Sequence, residues 1–518
     1  MGSEVEEPVV PPTHFDVLIV GAGAAGCVLA ARLSEDERVA VGLMEAGPDY
    51  GPFDPRRWPA ELLNAKSAAR GHDWDLTAPS CCARARVVGG SSAHNGCWAT
   101  IGAAADYDRW AAFSDGAWDY RTLRPYLREA MARLRVRSVP QTDRTAWHQA
   151  VIEAAGTVGL PYLEDINGET EREGVGWVPL NAVGSTRWHA AFAYLDPIRS
   201  RPNLRIIADS VAAQVEFDGT RATGVLTASA AEGTGRYRRL TADVVVLCCG
   251  TYGNPPLLMR SGVGPEPVLR ALGVPASHPL AGVGENLVDH SSLRVSLNPL
   301  PTLTAAMPDA AESYVAQTVI KARSGQAADE FWDLHIVPAA GPAKDAQGFS
   351  TGPLSASLYV FVMTPRSRGR VRAKSLDPSA QPVIEHGFFT DREGHDAQVV
   401  LDGVELAHQL AKTDRLTELA GLTPWSDEQR EDAAIQQAAG GYWHPVGTCA
   451  MGPARDPMAV VDARGLVHGL DNLYVADASV MPVIPRANTH LTTVAVADRL
   501  GELLATSLGG TQGNGHRA

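Results

Sequence analysis

The chain of 518 residues is short of several things, and each shortage removes a class of function. No apolar run approaches the roughly 20 residues that a membrane-spanning helix needs, so no membrane span is expected. Basic residues are outnumbered, 45 against 59 acidic, for a formal charge of −14. Binding nucleic acid requires clustered Lys and Arg that displace counterions from phosphates, so the reading excludes a nucleic-acid partner and takes the acidity as a solubility property. The N-terminus, MGSEVEEPVVPPT, lacks the basic start and apolar stretch of a secretory signal, which leads to a cytoplasmic expectation. Seven cysteines, an odd number with no C-x-x-C spacing, form neither a disulfide framework nor a zinc site. Cys81-Cys82 and Cys248-Cys249 are adjacent pairs, and the second ends the run VVVLCC. It reads as buried strand, since free Cys behaves as a small hydrophobe. No H-E-x-x-H or comparable third ligand accompanies the histidines discussed below, so no metal site is expected. There is no internal repeat.

What is present opens with a strand–helix–strand unit. FDVLIV (15–20) is an apolar run of the buried parallel-strand kind. Small and apolar residues recur with helical character from Ala24 to Leu33, and RVAVGLMEAG supplies a second strand that ends at Glu45. The turn between the first strand and the helix reads GAGAAG, with Gly21, Gly23 and Gly26 in G-x-G-x-x-G spacing. The first glycine permits the tight turn, the second lets backbone approach a pyrophosphate, and the third lets helix and strand pack closely. The helix start then offers free N–H groups and a positive dipole end to phosphate, and Glu45 can accept ribose hydroxyls. This context marks a dinucleotide-binding fold, without separating FAD from NAD.

Further along, residues 106–135 carry an amphipathic helical pattern. Residues 204–247 read as several strands, with FDGTR as a hairpin turn. Residues 358–364 are strand-like and 396–420 helical. Residues 426–440 are either helix or solvated linker, and the tail after Ala505 has a flexible composition. Five more segments are rich in glycine and small polar residues: ARVVGGSSAHNGCWAT (85–100), GTYGNPPLLMRSGVGP (250–265), GVGENLVDH (282–290), YWHPVGTCAMG (442–452) and LYVADASVMPVIPRANTHLTTVAVADRL (473–500). Gly250 at a strand end again lets backbone meet ligand.

Together with GAGAAG, these segments resemble the glucose–methanol–choline (GMC) family of FAD oxidoreductases, in that family's order and over nearly the whole chain. Two departures stand out. Asn254 replaces the family's usual Ser or Thr, and His94 replaces an aliphatic residue. GGSSAHNGC resembles the choline-oxidase branch, where a histidine at the matching place is bonded to the flavin 8α-methyl carbon. By that resemblance His94 is a candidate covalent FAD anchor, the alternative being a histidine that only hydrogen-bonds in its loop.

The resemblance implies an α/β protein with two parts, a Rossmann-like FAD-binding domain and an α+β substrate domain whose antiparallel sheet is backed by helices. The FAD domain maps to 12–139, 190–295 and 441–508, the substrate domain to 140–189 and 296–440, with flexible tails at 1–11 and 509–518. It also implies a cofactor site of Gly21, Gly23, Ala25, Gly26, Glu45, Ala46, Gly90, Ser91, His94, Asn95, Gly96, Cys97, Val211, Gly250, Trp443, Asp477, Ala478 and Thr492. The helix LTTVAVADRLGELLA should start near Thr492 and present its N-terminal dipole to the flavin pyrimidine.

The implied reaction is oxidation of a small-molecule alcohol. His444, in W-H-P-V-G-T, and His490, in N-T-H-L-T-T, are the expected catalytic pair. An alcohol O–H must lose its proton as the C–H gives hydride to flavin N5. A neutral imidazole accepts that proton near neutral pH, and a second can share the developing charge. His444 is the expected base and His490 the partner at the hydroxyl, though the roles can be exchanged. Trp98, Trp332, His335, Tyr359 and Phe361 are candidate pocket residues, aromatic side chains also being ordinary core. No carboxylate can be placed to pair a cationic amine such as choline. Oxygen or another acceptor would take the electrons. A hydroxynitrile-lyase type of reaction, a photodecarboxylase and a non-enzymatic FAD-binding protein are the competing readings on the same fold.

Overall fold

The structure, a computed structural model, describes residues 13–512 except 70, 77–82, 169–172, 230–236, 309–312, 315 and 345–349. Cys81 and Cys82 lie outside the described residues, as do both chain ends.

FDVLIV forms the strand His14–Val20, fully buried from Val17 on, at the centre of a seven-stranded sheet. Val41–Met44 pairs parallel on one side of it, with Leu204–Ile207 beyond, and Tyr237–Leu247 pairs parallel on the other side. The last of these strands is shared along its length. Its first half pairs antiparallel with Arg221–Ser229, which returns through the FDGTR turn to Ser210–Asp218. Its end pairs parallel with Leu473–Val475. Five parallel strands therefore end on the same side, at Val20, Met44, Ile207, Leu247 and Val475. Ligands of open α/β sheets bind beyond these carboxyl ends. The helix Ala24–Leu33 crosses from the first strand to the second and packs on the long helix Thr489–Gln512, joined by an Arg32–Asp498 ion pair at 2.9 Å.

The second sheet is antiparallel throughout: Ala420–Leu422, Ser291–Pro299, Ser350–Val362, Leu334–Lys344, Thr318–Ala322 and Gly174–Trp177, with Gly440–Gly441 beside Ser291–Ser292. Side chains alternate across it. Leu293, Ile320, Ile336 and Val360 join a core with the helices Ala146–Thr157 and His395–Ala411, while Val319, Val337 and Phe361 join a separate cluster on the opposite face. This is the α/β architecture with a helix-backed antiparallel second sheet. Among the described residues no helix is long and apolar enough to cross a membrane.

Three sequence expectations change. The helical pattern of 106–135 is broken: Ala104–Asp108 and a short turn of 3-10 helix end at Phe113, and a new helix, Tyr120–Arg133, starts after the Asp119 carboxylate accepts the Thr122 N–H. The C-terminal helix begins at Thr489, one turn before the expected Thr492, and continues to Gln512, with its apolar face burying residues as far as Leu504. Ser291–Pro299 lies whole in the second sheet, where the expected boundary at 295 would divide it.

Candidate active site

The predicted cofactor residues gather at the carboxyl ends of the parallel strands. Gly21 leaves its strand with φ of 105°, and a Cβ there would come within 2.5 Å of the Cys248 carbonyl. A Cβ on Gly26 would reach the Gly21 carbonyl at 1.9 Å, so this glycine sets how closely helix and strand approach. A Cβ on Gly23 would meet no protein atom within 4 Å. That open space at a helix N-terminus is where a pyrophosphate fits, and Ala25 follows in the same first turn. Glu45, at the end of Val41–Met44, is buried, and its carboxylate accepts N–H groups of Ala22 (3.0 Å) and Gly47 (2.9 Å). Burial lifts its pKa to about 7 against those hydrogen bonds. Ala46 follows it, and the Glu45 carbonyl accepts the N–H of Ser210, next to Val211.

The loop 85–97 lies on this glycine turn. Gly89 N–H donates to the Ala22 carbonyl, and a Cβ on Gly90 would come within 2.6 Å of the Gly23 Cα. Ser91 is exposed and Asn95 Oδ1 accepts the Cys97 N–H after Gly96. His94 is buried, its Nε2 3.8 Å from an Asp73 carboxylate oxygen. On the far strand, Asp477 Oδ2 accepts the Gly250 N–H (2.7 Å) and the Asn254 side-chain N–H (2.8 Å), and its Oδ1 accepts from Ser479. Asn254 Oδ1 accepts the Cys249 N–H, so this family departure is absorbed by a complete set of bonds. Ala478 starts the next turn. Thr492 turns its hydroxyl to Tyr107 (2.9 Å). The shape, the open space over Gly23 and the terminal carboxylate fit the adenosine and pyrophosphate of FAD.

Among the described residues the hydrogen bonds of the His444 ring go to Asn488 and His290, and none joins it to His490. His444 Nε2 stands 2.9 Å from the side-chain nitrogen of Asn488, and its Nδ1 stands 3.1 Å from Nδ1 of His290. Asn488 stands immediately before the helix that starts at Thr489, and His490 is in that helix's first turn. His490 is partly buried, with both ring nitrogens shielded from solvent and neither bonded among the described residues, and desolvation holds its pKa at about 4.

The bonds around His444 fix their own direction. His290 Nε2 lies 3.1 Å from the Pro485 carbonyl, which can only accept, so this nitrogen carries the proton. His290 is kept neutral by burial, its pKa near 3, so its Nδ1 is an acceptor. His444 Nδ1 must then be the donor, leaving the lone pair on Nε2. At the other end, the Thr100 hydroxyl accepts the Asn488 backbone N–H (3.0 Å) and donates to Asn488 Oδ1 (2.6 Å). That turns the amide N–H group toward His444 Nε2. Burial, with the Arg84 guanidinium adding positive charge, holds His444 far below the usual imidazole range. The base form is therefore the resting form.

Asp289 supports the same turn. Its Oδ1 accepts N–H groups of Tyr442 (3.3 Å) and His444 (3.0 Å), and burial raises its pKa to about 6. Asp289, His290 and His444 place one donor atom each within 4.8 Å of one another, the one such group among the described residues. Both histidine Nδ1 atoms are already engaged with each other there. Trp443 is 47% exposed with φ of 61°, between the buried Tyr442 and His444. Phe361 stacks on Tyr442 at 3.7 Å, and Tyr442 packs on His444 at 4.3 Å. Trp332, Trp98 and Tyr359 belong to the same cluster. Trp98 donates to the Ala316 carbonyl, and Trp332 to that of Arg486.

This is the site of a flavin-dependent oxidoreductase of the two-sheet kind. Family models described as GMC oxidoreductase match residues 15–292 and 365–497, and the chain belongs to the GMC oxidoreductase family. It is similar to the oxygen-dependent choline dehydrogenase of Pseudomonas putida (strain GB-1), 34% identical with 94% of each chain covered. It is similar also to the mitochondrial choline dehydrogenase of Mus musculus, 32% identical over 95% of this chain and 89% of that one. Among solved structures it resembles pyridoxine 4-oxidase from Mesorbium loti, with a TM-score of 0.80, 28% identity, and coverage of 94% of this chain and 99% of that one. The crystal structure of formate oxidase shares the fold, with a TM-score of 0.81 and 22% identity over 96% and 99% of the two chains. The protein is an FAD enzyme that oxidises alcohols.

Asn488, His290, Thr100 and Asp289 were missed by sequence reasoning. Asn488 stands in the quoted N-T-H string and His290 ends the quoted GVGENLVDH. The signal was there, but the pairing needs the fold.

Proposed function

We propose that His444 Nε2 is the base that takes the hydroxyl proton of the alcohol. Asn488, rather than His490, is the second group at the reacting oxygen. The alcohol hydroxyl replaces the direct Asn488–His444 contact of 2.9 Å: its oxygen takes over the Asn488 side-chain N–H, and its hydrogen goes to the His444 Nε2 lone pair so released. As that proton arrives, His444 becomes a cation whose Nδ1–H is already bonded to His290, and His290 passes the polarisation to the Pro485 carbonyl. FAD supplies the hydride acceptor when bound. Tyr442 and Phe361 exclude water from the same spot, which strengthens each of these bonds. The observation that carries the reading is the one-way hydrogen-bond chain from Thr100 through Asn488 and His444 to His290.

His94 is proposed as the covalent attachment point for the cofactor, and Asp73 beside it as the group that holds its ring in place. The electrons leave to oxygen, in line with the oxygen-dependent relatives, and the chain works in the cytoplasm. The domain limits are those given in the sequence analysis, moved to keep Ser291–Pro299 in the substrate domain.

Anaerobic mixing with a panel of primary alcohols tests the reaction: the yellow cofactor band should bleach, and His444→Ala should abolish bleaching while retaining the cofactor. Alcohols that leave the band intact in the wild type would sink the reading. Acid precipitation tests His94. The colour should stay with the wild-type pellet and leave that of His94→Ala.

A further inference from the structure

The sheet face turned toward the cofactor domain is not uniformly apolar. Lys321 and His335 stand directly opposite each other on adjacent strands, and His335 stands opposite Phe361 on the next. All three are at most 3% exposed. Lys321 Nζ donates to the Ile166 carbonyl at 2.6 Å and lies 3.8 Å from the centre of the Trp332 ring. Among the described residues neither ring nitrogen of His335 has a hydrogen-bond partner, nor has the hydroxyl of Tyr442, and the two rings are 6.3 Å apart. Tyr442 also touches His444, so these groups continue directly from the reacting centre.

Buried polar atoms are almost always hydrogen-bonded, and exceptions call for a reason. A ligand that supplies the missing partners is such a reason. The charge of that ligand follows from its surroundings. Burial lowers the pKa of His335 and the Lys321 ammonium lowers it further, so the ring is neutral and Lys321 supplies the positive charge on this face. The carboxylates of this region are engaged elsewhere. Asp106 and Asp329 face Arg486, Asp333 accepts from Ser324, and Asp289 caps the 442–444 turn.

Resting on the alcohol-oxidising reading above, we propose that Lys321, His335 and Tyr442 form the subsite for the far end of the alcohol, which is an uncharged or anionic hydrogen-bond acceptor and not a quaternary ammonium group. A carbonyl or carboxylate there accepts from the His335 ring and the Tyr442 hydroxyl under the positive field of Lys321. A trimethylammonium group would leave those atoms unbonded and meet a like charge.

Four alcohols that share a hydroxyethyl arm test this with the holoenzyme: choline, its uncharged isostere 3,3-dimethylbutan-1-ol, 4-hydroxybutan-2-one and 3-hydroxypropanoate. Half-saturating concentrations for anaerobic bleaching should be lowest for the last two and highest for choline. Choline should fall short of its isostere by about tenfold, the scale of two like charges within a screened protein interior. In Lys321→Met the choline to isostere ratio should move about tenfold toward choline, a charge-specific change that mere loosening of the fold would not produce. Choline binding as well as its isostere in the wild type overturns the proposal. Calorimetry with propanoate and tetramethylammonium, neither of which is oxidised, separates the two readings. If no alcohol bleaches the cofactor, the alcohol-oxidising reading fails. Propanoate binding that Lys321→Met weakens still supports the subsite, and tetramethylammonium binding overturns it.

Discussion

His290 and His444 meet nitrogen to nitrogen, Nδ1 to Nδ1 at 3.1 Å, with the far side of His290 held by the Pro485 carbonyl. Because that carbonyl can only accept, the contact selects the His444 tautomer that keeps its lone pair on Nε2, where the Asn488 side-chain N–H holds it until alcohol takes that place. His290→Leu removes the acceptor. The expected result is bleaching of the cofactor slowed by about 100-fold, the low end of what a positioned acid–base group contributes, with the half-saturating alcohol concentration little changed. His290→Asn, whose side-chain oxygen can accept from Nδ1–H, should recover part of the loss. A rate for His290→Leu within about twofold of wild type, on the scale where general-base catalysis is worth 100-fold or more, would refute the tautomer argument.

Asn488 is proposed in place of His490 because the Asn488 side chain reaches His444 Nε2. Asn488→Ala should lower the bleaching rate by about 100-fold, in the range found for removing one donor to a developing oxyanion. His490→Gln should change it far less. Stopped-flow rates of the two variants with the same alcohol check this, and the reverse order would restore His490 to the pair.

The glycine turn, the crossing helix, Glu45 and the strands of 204–247 could be read from residue order, because each is specified by neighbours within about 30 residues. The pairing of His444 could not. It depends on Thr100 and Asn488, 388 positions apart, and on the side of the helix start that faces inward. A histidine in N-T-H is a stronger chemical signal than the asparagine two places before it, and residue type alone favours the histidine. The break at Ser114–Asp119 was hidden for a related reason: the tryptophans on both sides, Trp110 and Trp118, are buried and keep the helical spacing of apolar residues across a turn.

Thr100 sets the Asn488 amide. Its hydroxyl accepts from the Asn488 backbone and so has only one hydrogen to give, which goes to Oδ1. Thr100→Val keeps the shape and removes both bonds, leaving the amide free to flip. Turnover should fall about tenfold, the equivalent of one neutral hydrogen bond of about 1.4 kcal/mol, while Thr100→Ser keeps the hydroxyl and should stay near wild type. Equal rates for the two variants would detach Thr100 from the site.

His490 gives a stability prediction with a definite sign. Its folded pKa is near 4 where an unfolded histidine titrates near 6.5. Between those values the unfolded chain binds a proton that the folded chain refuses, so stability is full above about pH 6.5 and falls as pH drops toward 4. The gap is worth about 3 kcal/mol. Urea unfolding at pH 7 and pH 4.5 should therefore show wild type losing about 2–3 kcal/mol relative to His490→Gln, the other buried groups cancelling in the difference. Parallel pH profiles for the two proteins would show that this ring is not held neutral by burial.

Gly23 and Gly26 separate holding the fold from holding the cofactor. A methyl at Gly26 would strike the Gly21 carbonyl at 1.9 Å and force the helix off its strand. Gly26→Ala should therefore cost several kcal/mol, as overpacking against rigid backbone does, and should purify poorly or not at all. At Gly23 the backbone φ of −71° suits alanine, and the added methyl meets no protein atom within 4 Å. Gly23→Ala should fold with stability within about 1 kcal/mol of wild type once cofactor is stripped from both. The methyl then occupies the space left for the pyrophosphate beside the helix N-terminus, so FAD retention should drop sharply. The ratio of 450 nm to 280 nm absorbance after purification and the urea midpoint of the stripped protein measure the two effects separately. A Gly23→Ala protein that keeps its full colour would mean that the pyrophosphate does not approach this turn.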